Sequence, residues 1–110
     1  MDPPTVVVCS GKDCRRAHPD DWADLVQRLD RAGARVVESG CLSICSGPVA
    51  VVDAPGAVYG KLRSRKARRD LARAVGGRPR STRLAKRAVI KDTKAAKARK
   101  GALRAIRKAD

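Results

Sequence analysis

The 110-residue chain contains no phenylalanine, one tryptophan, one tyrosine, one methionine and one histidine. A core without phenylalanine has to be assembled from valine, leucine, isoleucine and alanine. A small domain of that kind buries proportionately little surface, so a metal or disulfide staple is expected. A single histidine leaves no Ser-His-Asp set that assembles convincingly, and a Rieske-type centre is excluded because it needs two histidines on one iron. There is no glycine-rich phosphate loop and there are no paired acids in a plausible cleft. These absences argue against an enzyme. No apolar run approaches the ~18 residues needed to span a bilayer, so no transmembrane segment is expected. The start, Met1-Asp2-Pro3-Pro4, lacks the basic and apolar regions of a secretory signal. The expectation is therefore a cytoplasmic protein. In that compartment disulfides are disfavoured, and clustered cysteines more often bind metal or do redox chemistry.

Acidic residues are also scarce, and unevenly so. The chain carries 26 Lys+Arg against 11 Asp+Glu, a formal net charge of +15. Residues 1–62 hold 7 bases and 8 acids, whereas residues 63–110 hold 19 bases and only Asp70, Asp92 and Asp110. Composition divides the chain into a cysteine-bearing body, residues 1–76, and a basic Lys/Arg/Ala-rich extension, residues 77–110. The break falls in Gly76-Gly77-Arg78-Pro79-Arg80-Ser81.

Within the body, Thr5-Val6-Val7-Val8 reads as a buried strand. Pro19-Asp20-Asp21 supplies helix-start chemistry, an acid to cap the first amides and favour the positive end of the dipole. Trp22, Leu25, Val26, Leu29 and Ala32 then recur at helical spacing, with Trp22 expected in the core and His18 expected exposed near the helix start. Gly33 closes the helix. Ala34–Glu38 is a second strand, parallel to the first if the helix crosses between them. Val49–Val52 and Ala57–Tyr59 flank a Pro-Gly turn and read as a hairpin. Ala67, Leu71, Ala72 and Val75 mark a second helix ending at Gly76. The order is βαβ followed by ββα, an α/β, thioredoxin-like layout with a mixed four-stranded sheet.

The four cysteines are spaced Cys9-x4-Cys14 and, 26 residues later, Cys41-x3-Cys45. Cys9 follows the first strand and Cys41 follows the second by way of Ser39-Gly40. Parallel neighbouring strands would bring both pairs to one edge of the sheet, the C-terminal edge where open α/β sheets place ligands. Four converging thiolates suit tetrahedral zinc, although zinc loops are usually tighter C-x2-C knuckles. They also suit a [2Fe–2S] cluster, which is larger and tolerates wider, less regular loops. Ordinary reduced cysteines and disulfides are the remaining alternatives. A thioredoxin-type C-x-x-C redox motif is missing.

The segments Val6-Val7-Val8-Cys9-Ser10-Gly11-Lys12-Asp13-Cys14 and Gly40-Cys41-Leu42-Ser43-Ile44-Cys45-Ser46-Gly47-Pro48-Val49 resemble the thioredoxin-like [2Fe–2S] ferredoxins. The resemblance covers roughly residues 5–75. It implies Cys9, Cys14, Cys41 and Cys45 as the cluster ligands, one-electron transfer rather than catalysis, redox partner proteins, and often a homodimer. Gly11 and Gly40 are expected to let backbone approach the cluster, and Ser10, Ser43 and Ser46 to donate hydrogen bonds to sulfur. Lys12, Arg15 and Arg16 are placed to raise the potential or guide an acidic partner. Many ferredoxins are acidic, so the charge balance here is a departure.

The resemblance does not reach the extension. From Arg78 to Asp110 there are 13 bases and two acids. Alanine, lysine and arginine favour helix, so an extension that is partly helical or disordered is expected, with Arg83–Lys100 as the helical part. Leu84, Val89, Ile90, Leu103 and Ile106 look too sparse to pack, and Gly101 is expected to interrupt the run. Such a segment binds polyanions through counterion release. Nucleic acid is therefore a candidate partner, ahead of an acidic protein or an anionic membrane surface. The alternative to an electron carrier is a zinc- or cluster-stabilised nucleic-acid-binding module that works through residues 78–110.

Overall fold

The computed structural model describes residues 4–11, 15–40, 47–53, 56–89 and 92–110. Its elements are β1 (Thr5–Cys9), α1 (Pro19–Arg31), β2 (Arg35–Ser39), β3 (Ala50–Val52), β4 (Ala57–Tyr59), α2 (Arg65–Val75), α3 (Thr82–Ala85) and α4 (Asp92–Ala109). The sheet is mixed, in the order β2-β1-β3-β4. β1 and β2 are parallel, with Val7 opposite Val37 and Cys9 opposite Ser39. β3 runs antiparallel to both β1 and β4.

The valine run of β1 forms the central part of the sheet because each residue has a covered face to occupy. Alternation sends Val6 and Val8 to one side, where they meet Leu25 and Leu29 of α1, Leu71 of α2 and Leu84 of α3. Val7 and Cys9 point to the other side, against Ala95, Ala98 and Ala102 of α4. Both faces are thus closed by helices, as a strand without polar positions requires.

Local signals behave largely as their chemistry dictates. Gly33 takes φ +87 just beyond α1 and Gly56 takes φ +86 in the β3–β4 connection, conformations that other residues rarely adopt. The start of α1 differs from expectation in one respect. His18 occupies the N-cap, partly exposed, and no side chain caps the first amides, so at the helix start Asp20 and Asp21 favour the dipole rather than cap. Side-chain capping appears instead on α2 and α3, where Ser64 accepts from the Ala67 amide and Ser81 from the Leu84 amide.

The basic extension is not a solvated tail. α4 lies across the sheet, and Leu84, far from being too sparse to pack, is fully buried with the α1–α2 layer. The large apolar residues of the extension are few, but Ala95, Ala98 and Ala102 fall three and four residues apart on one side of α4 and are 3, 0 and 3 % exposed. Small side chains let the helix backbone sit close to the valines of β1 and β3, so contact area comes from proximity rather than bulk. Gly101 does not interrupt the helix. It borders Glu38, Ser39 and Gly40 at the end of β2, where helix and strand run close together.

Candidate metal centre

Cys9 is the last residue of β1 and is 1 % exposed. Its amide donates to the carbonyl of Val49 at 3.0 Å, and the following amide, of Ser10, donates to the carbonyl of Ser39 at 3.0 Å. Its thiol donates to the carbonyl oxygen of Gly40 at 3.6 Å. Cys9 is therefore held between the end of β2 and the residue that precedes β3. Cys41 follows Gly40 in sequence, and the chain re-enters the described structure at Gly47, two residues before Val49.

The expected ligand set is only partly placed. Cys14, Cys41 and Cys45 lie outside the described residues, as do Lys12, Ser43 and Ser46. Among the described residues no group of three or more His, Cys, Asp or Glu side chains is arranged to hold a metal ion. Ser10, expected to donate to sulfur, donates its hydroxyl to the carbonyl of Ser39. A Cβ at Gly40 would meet nothing within 4 Å, so no described neighbour requires glycine there.

Trp22 has a second role besides filling the margin of the α1 layer. Its indole Nε1 donates to the carbonyl of Cys9 at 3.0 Å, tying α1 to the end of β1. The guanidinium of Arg15 stacks over the same ring, 4.6 Å from its centroid, and pairs with Glu38 at 3.2 Å. Both partners of that ion pair are more than half exposed, so it contributes little to stability. It does hold a cation near the strand ends. Further cations come from the extension: Arg104 and Lys108 of α4 line a cavity of about 130 Å³ together with Glu38, Ser39 and Gly40.

The α1–α2 layer is fixed by a separate ionic cluster. Arg68, 6 % exposed, reaches Asp21 at 3.2 Å and Asp24 at 2.7 Å, and donates to the carbonyls of Leu62 and Arg63. Burial pushes the Asp24 carboxyl up, but the hydrogen bonds from Arg68 and Arg28 outweigh it and hold the group below its ordinary value. At Asp70 burial acts in the same direction and is again outweighed, by the Ser81 hydroxyl and the charges of Arg69 and Arg83.

Arg104 and Lys108 were not legible as neighbours of the cysteine edge. They stand four residues apart and so share a flank of α4. Which part of the sheet that flank borders is settled only once Ala98 and Ala102 are known to face inward.

The fold and the placement of Cys9 define an α/β protein of thioredoxin-like architecture. The chain is similar to the crystal structure of the wild-type thioredoxin-like [2Fe–2S] ferredoxin from Aquifex aeolicus, with a TM-score of 0.56 and 18 % identity over 83 % of this chain and 100 % of that one. At that identity the likeness establishes the shared fold. No protein-family model matches the chain. No curated protein matches it in sequence.

Proposed function

We propose that the protein is a one-electron carrier that binds a [2Fe–2S] cluster through Cys9, Cys14, Cys41 and Cys45. The observation that carries this reading is the position of Cys9: buried at the C-terminal end of β1, with its sulfur against Gly40, the residue that precedes Cys41. The fold shared with a [2Fe–2S] ferredoxin supports it, as does the cysteine spacing.

The donor set suits the group. Thiolates are the usual ligands of such clusters, two per iron, and the bound cluster supplies reversible one-electron chemistry. The chain's own residues have three tasks. Trp22 fixes the carbonyl of Cys9 and so the direction of the strand end. The sheet, covered by α1 and α4, keeps water from the Cys9 side chain. Arg15, Arg104 and Lys108 supply positive charge around the strand ends, which favours the more negative, reduced state. Redox partner proteins are the corresponding partners.

Anaerobic purification, with a visible spectrum and iron, sulfide and zinc analysis, tests the proposal. About two irons and two sulfides per chain are expected from the cluster stoichiometry. Zinc without sulfide would transfer support to a zinc-stabilised binding module. A colourless, metal-free protein from metal-replete, air-free growth would refute both.

A further inference from the structure

α4 turns its alanines to the sheet, and an exposed flank of the helix carries a row of cations whose C-terminal members, Arg104 and Lys108, border the end of β2. Lys94, Lys97, Lys100, Arg104 and Lys108 follow one another at intervals of three, three, four and four residues, and all are exposed. Intervals of three and four keep side chains on one flank of a helix. The row extends over about 21 Å of helix axis, and Arg107 lies beside it.

No ion pair among the described residues neutralises this row. Asp21 and Asp24 are engaged by Arg68, with Arg28 also on Asp24. Asp70 pairs with Arg69 and Arg83, Glu38 with Arg15, and Asp110 with Arg35. These carboxylates are engaged elsewhere, and the stripe presents its charge to solvent on a rigid support.

We infer that the α4 stripe is a docking surface for the phosphate backbone of duplex nucleic acid. A linear row of cations, one to each turn of helix, suits a linear array of single negative charges, and each phosphate contact releases counterions. The stripe has no aromatic residue, so it lacks the stacking platform that single strands use. An acidic protein surface is a poorer match, because protein interfaces depend on aromatic and apolar anchors, and the one large exposed apolar side chain among the described residues is Leu103. A membrane surface is a poorer match again, since the apolar side of α4 that would enter lipid is already buried on the sheet. The inference does not rest on the cluster and is tested independently of it.

Removing residues 78–110 would not isolate the effect, because Leu84 and Ala98 are part of the core. The test instead compares two full-length variants of equal net charge. One carries Lys94→Gln, Lys97→Gln, Lys100→Gln and Arg104→Gln. The other carries Arg65→Gln, Lys66→Gln, Arg73→Gln and Arg78→Gln, exposed positions of α2 and the turn after it, on the other side of the sheet. Binding to labelled DNA duplexes of two unrelated sequences is measured by fluorescence anisotropy across a salt series, with circular dichroism confirming the fold of each variant and iron content recorded.

For the unmodified protein, about five phosphate contacts predict a loss of affinity of several hundredfold between about 50 and about 200 mM salt, nearly equal for the two sequences. The stripe variant is expected to flatten the slope of log affinity against log salt by about 3 to 4, while the α2 variant keeps most of it. Equal losses in the two variants would overturn the assignment to α4. So would undetectable duplex binding at low salt, or equally tight binding of poly-glutamate, which would leave only general attraction to polyanions.

Discussion

The indole N–H of Trp22 donates to the carbonyl of Cys9 across 3.0 Å, joining the first turn of α1 to the last residue of β1. Trp22→Phe keeps most of the apolar contact and removes only the donor. The lost hydrogen bond is expected to cost about 1 kcal/mol, which lowers the midpoint of thermal unfolding by roughly 4 to 8 °C. If the bond also orients the ligand, the visible absorbance of the loaded protein decays faster on exposure to air. An unchanged melting curve and an unchanged decay would remove Trp22 from the site.

Cys9→Ser and Cys41→Ser should each strip or badly destabilise the proposed cofactor, read as loss of visible absorbance and of acid-labile sulfide. A spectrum that survives either change would count against that residue as a ligand. Cys9 is buried on the α4 face, so unfolding of the metal-free variant should be compared with metal-free parent protein, separating cofactor loss from packing loss.

Arg68 bridges Asp21, Asp24 and two carbonyls of the turn before α2. Arg68→Met retains much of the apolar stem and leaves those acceptors without their donor. A loss on the order of 3 kcal/mol in urea unfolding is expected. A loss below about 1 kcal/mol, within reach of a surface pair, would show the cluster to be solvent-screened.

Asp24 and Asp70 both have carboxyls held below their ordinary value in the folded protein. Each therefore contributes stability that is fully present above the unfolded-state pKa of about 3.9 and is lost as pH falls through the lower folded-state value. Urea midpoints should be flat through neutral pH and fall on the acid side. Asp24→Asn combined with Asp70→Asn should lower stability at neutral pH and make that acid fall shallower; a fall as steep as the parent's would assign it to other groups.

Ala98 is fully buried between α4 and the sheet. Ala98→Asp places a charge there with no partner and is expected to cost several kcal/mol, seen as a large drop in the unfolding midpoint. A solvated tail would tolerate the change, so a shift within about 0.5 kcal/mol would contradict the packing of α4.

The β-branched run Thr5–Val8, the apolar spacing from Trp22 to Leu29 and the glycines at 33 and 56 each carry their structure locally, and β1, α1, β2 and the β3–β4 pair follow from them. The extension was harder to read because its seam is alanine. Alanine favours helix wherever it stands and does not announce a buried side, so Ala95, Ala98 and Ala102 look like padding until a sheet of valines lies beneath them. The proposed site is read from the sequence as four thiols on two loops after adjacent strands; of these, the described residues place Cys9 alone.

Sequence alone determined the strand–helix order and the charge imbalance, since backbone preference and net charge are properties of short segments and of composition. Tertiary structure decided that Cys9 and the basic helix share a face of the sheet, that Trp22 grips the strand carrying Cys9, and that the cations of α4 lie in a row with no ion-pair partner among the described residues. Those relations join residues far apart in the chain, and they exist only because a sheet with two apolar faces must be covered on both.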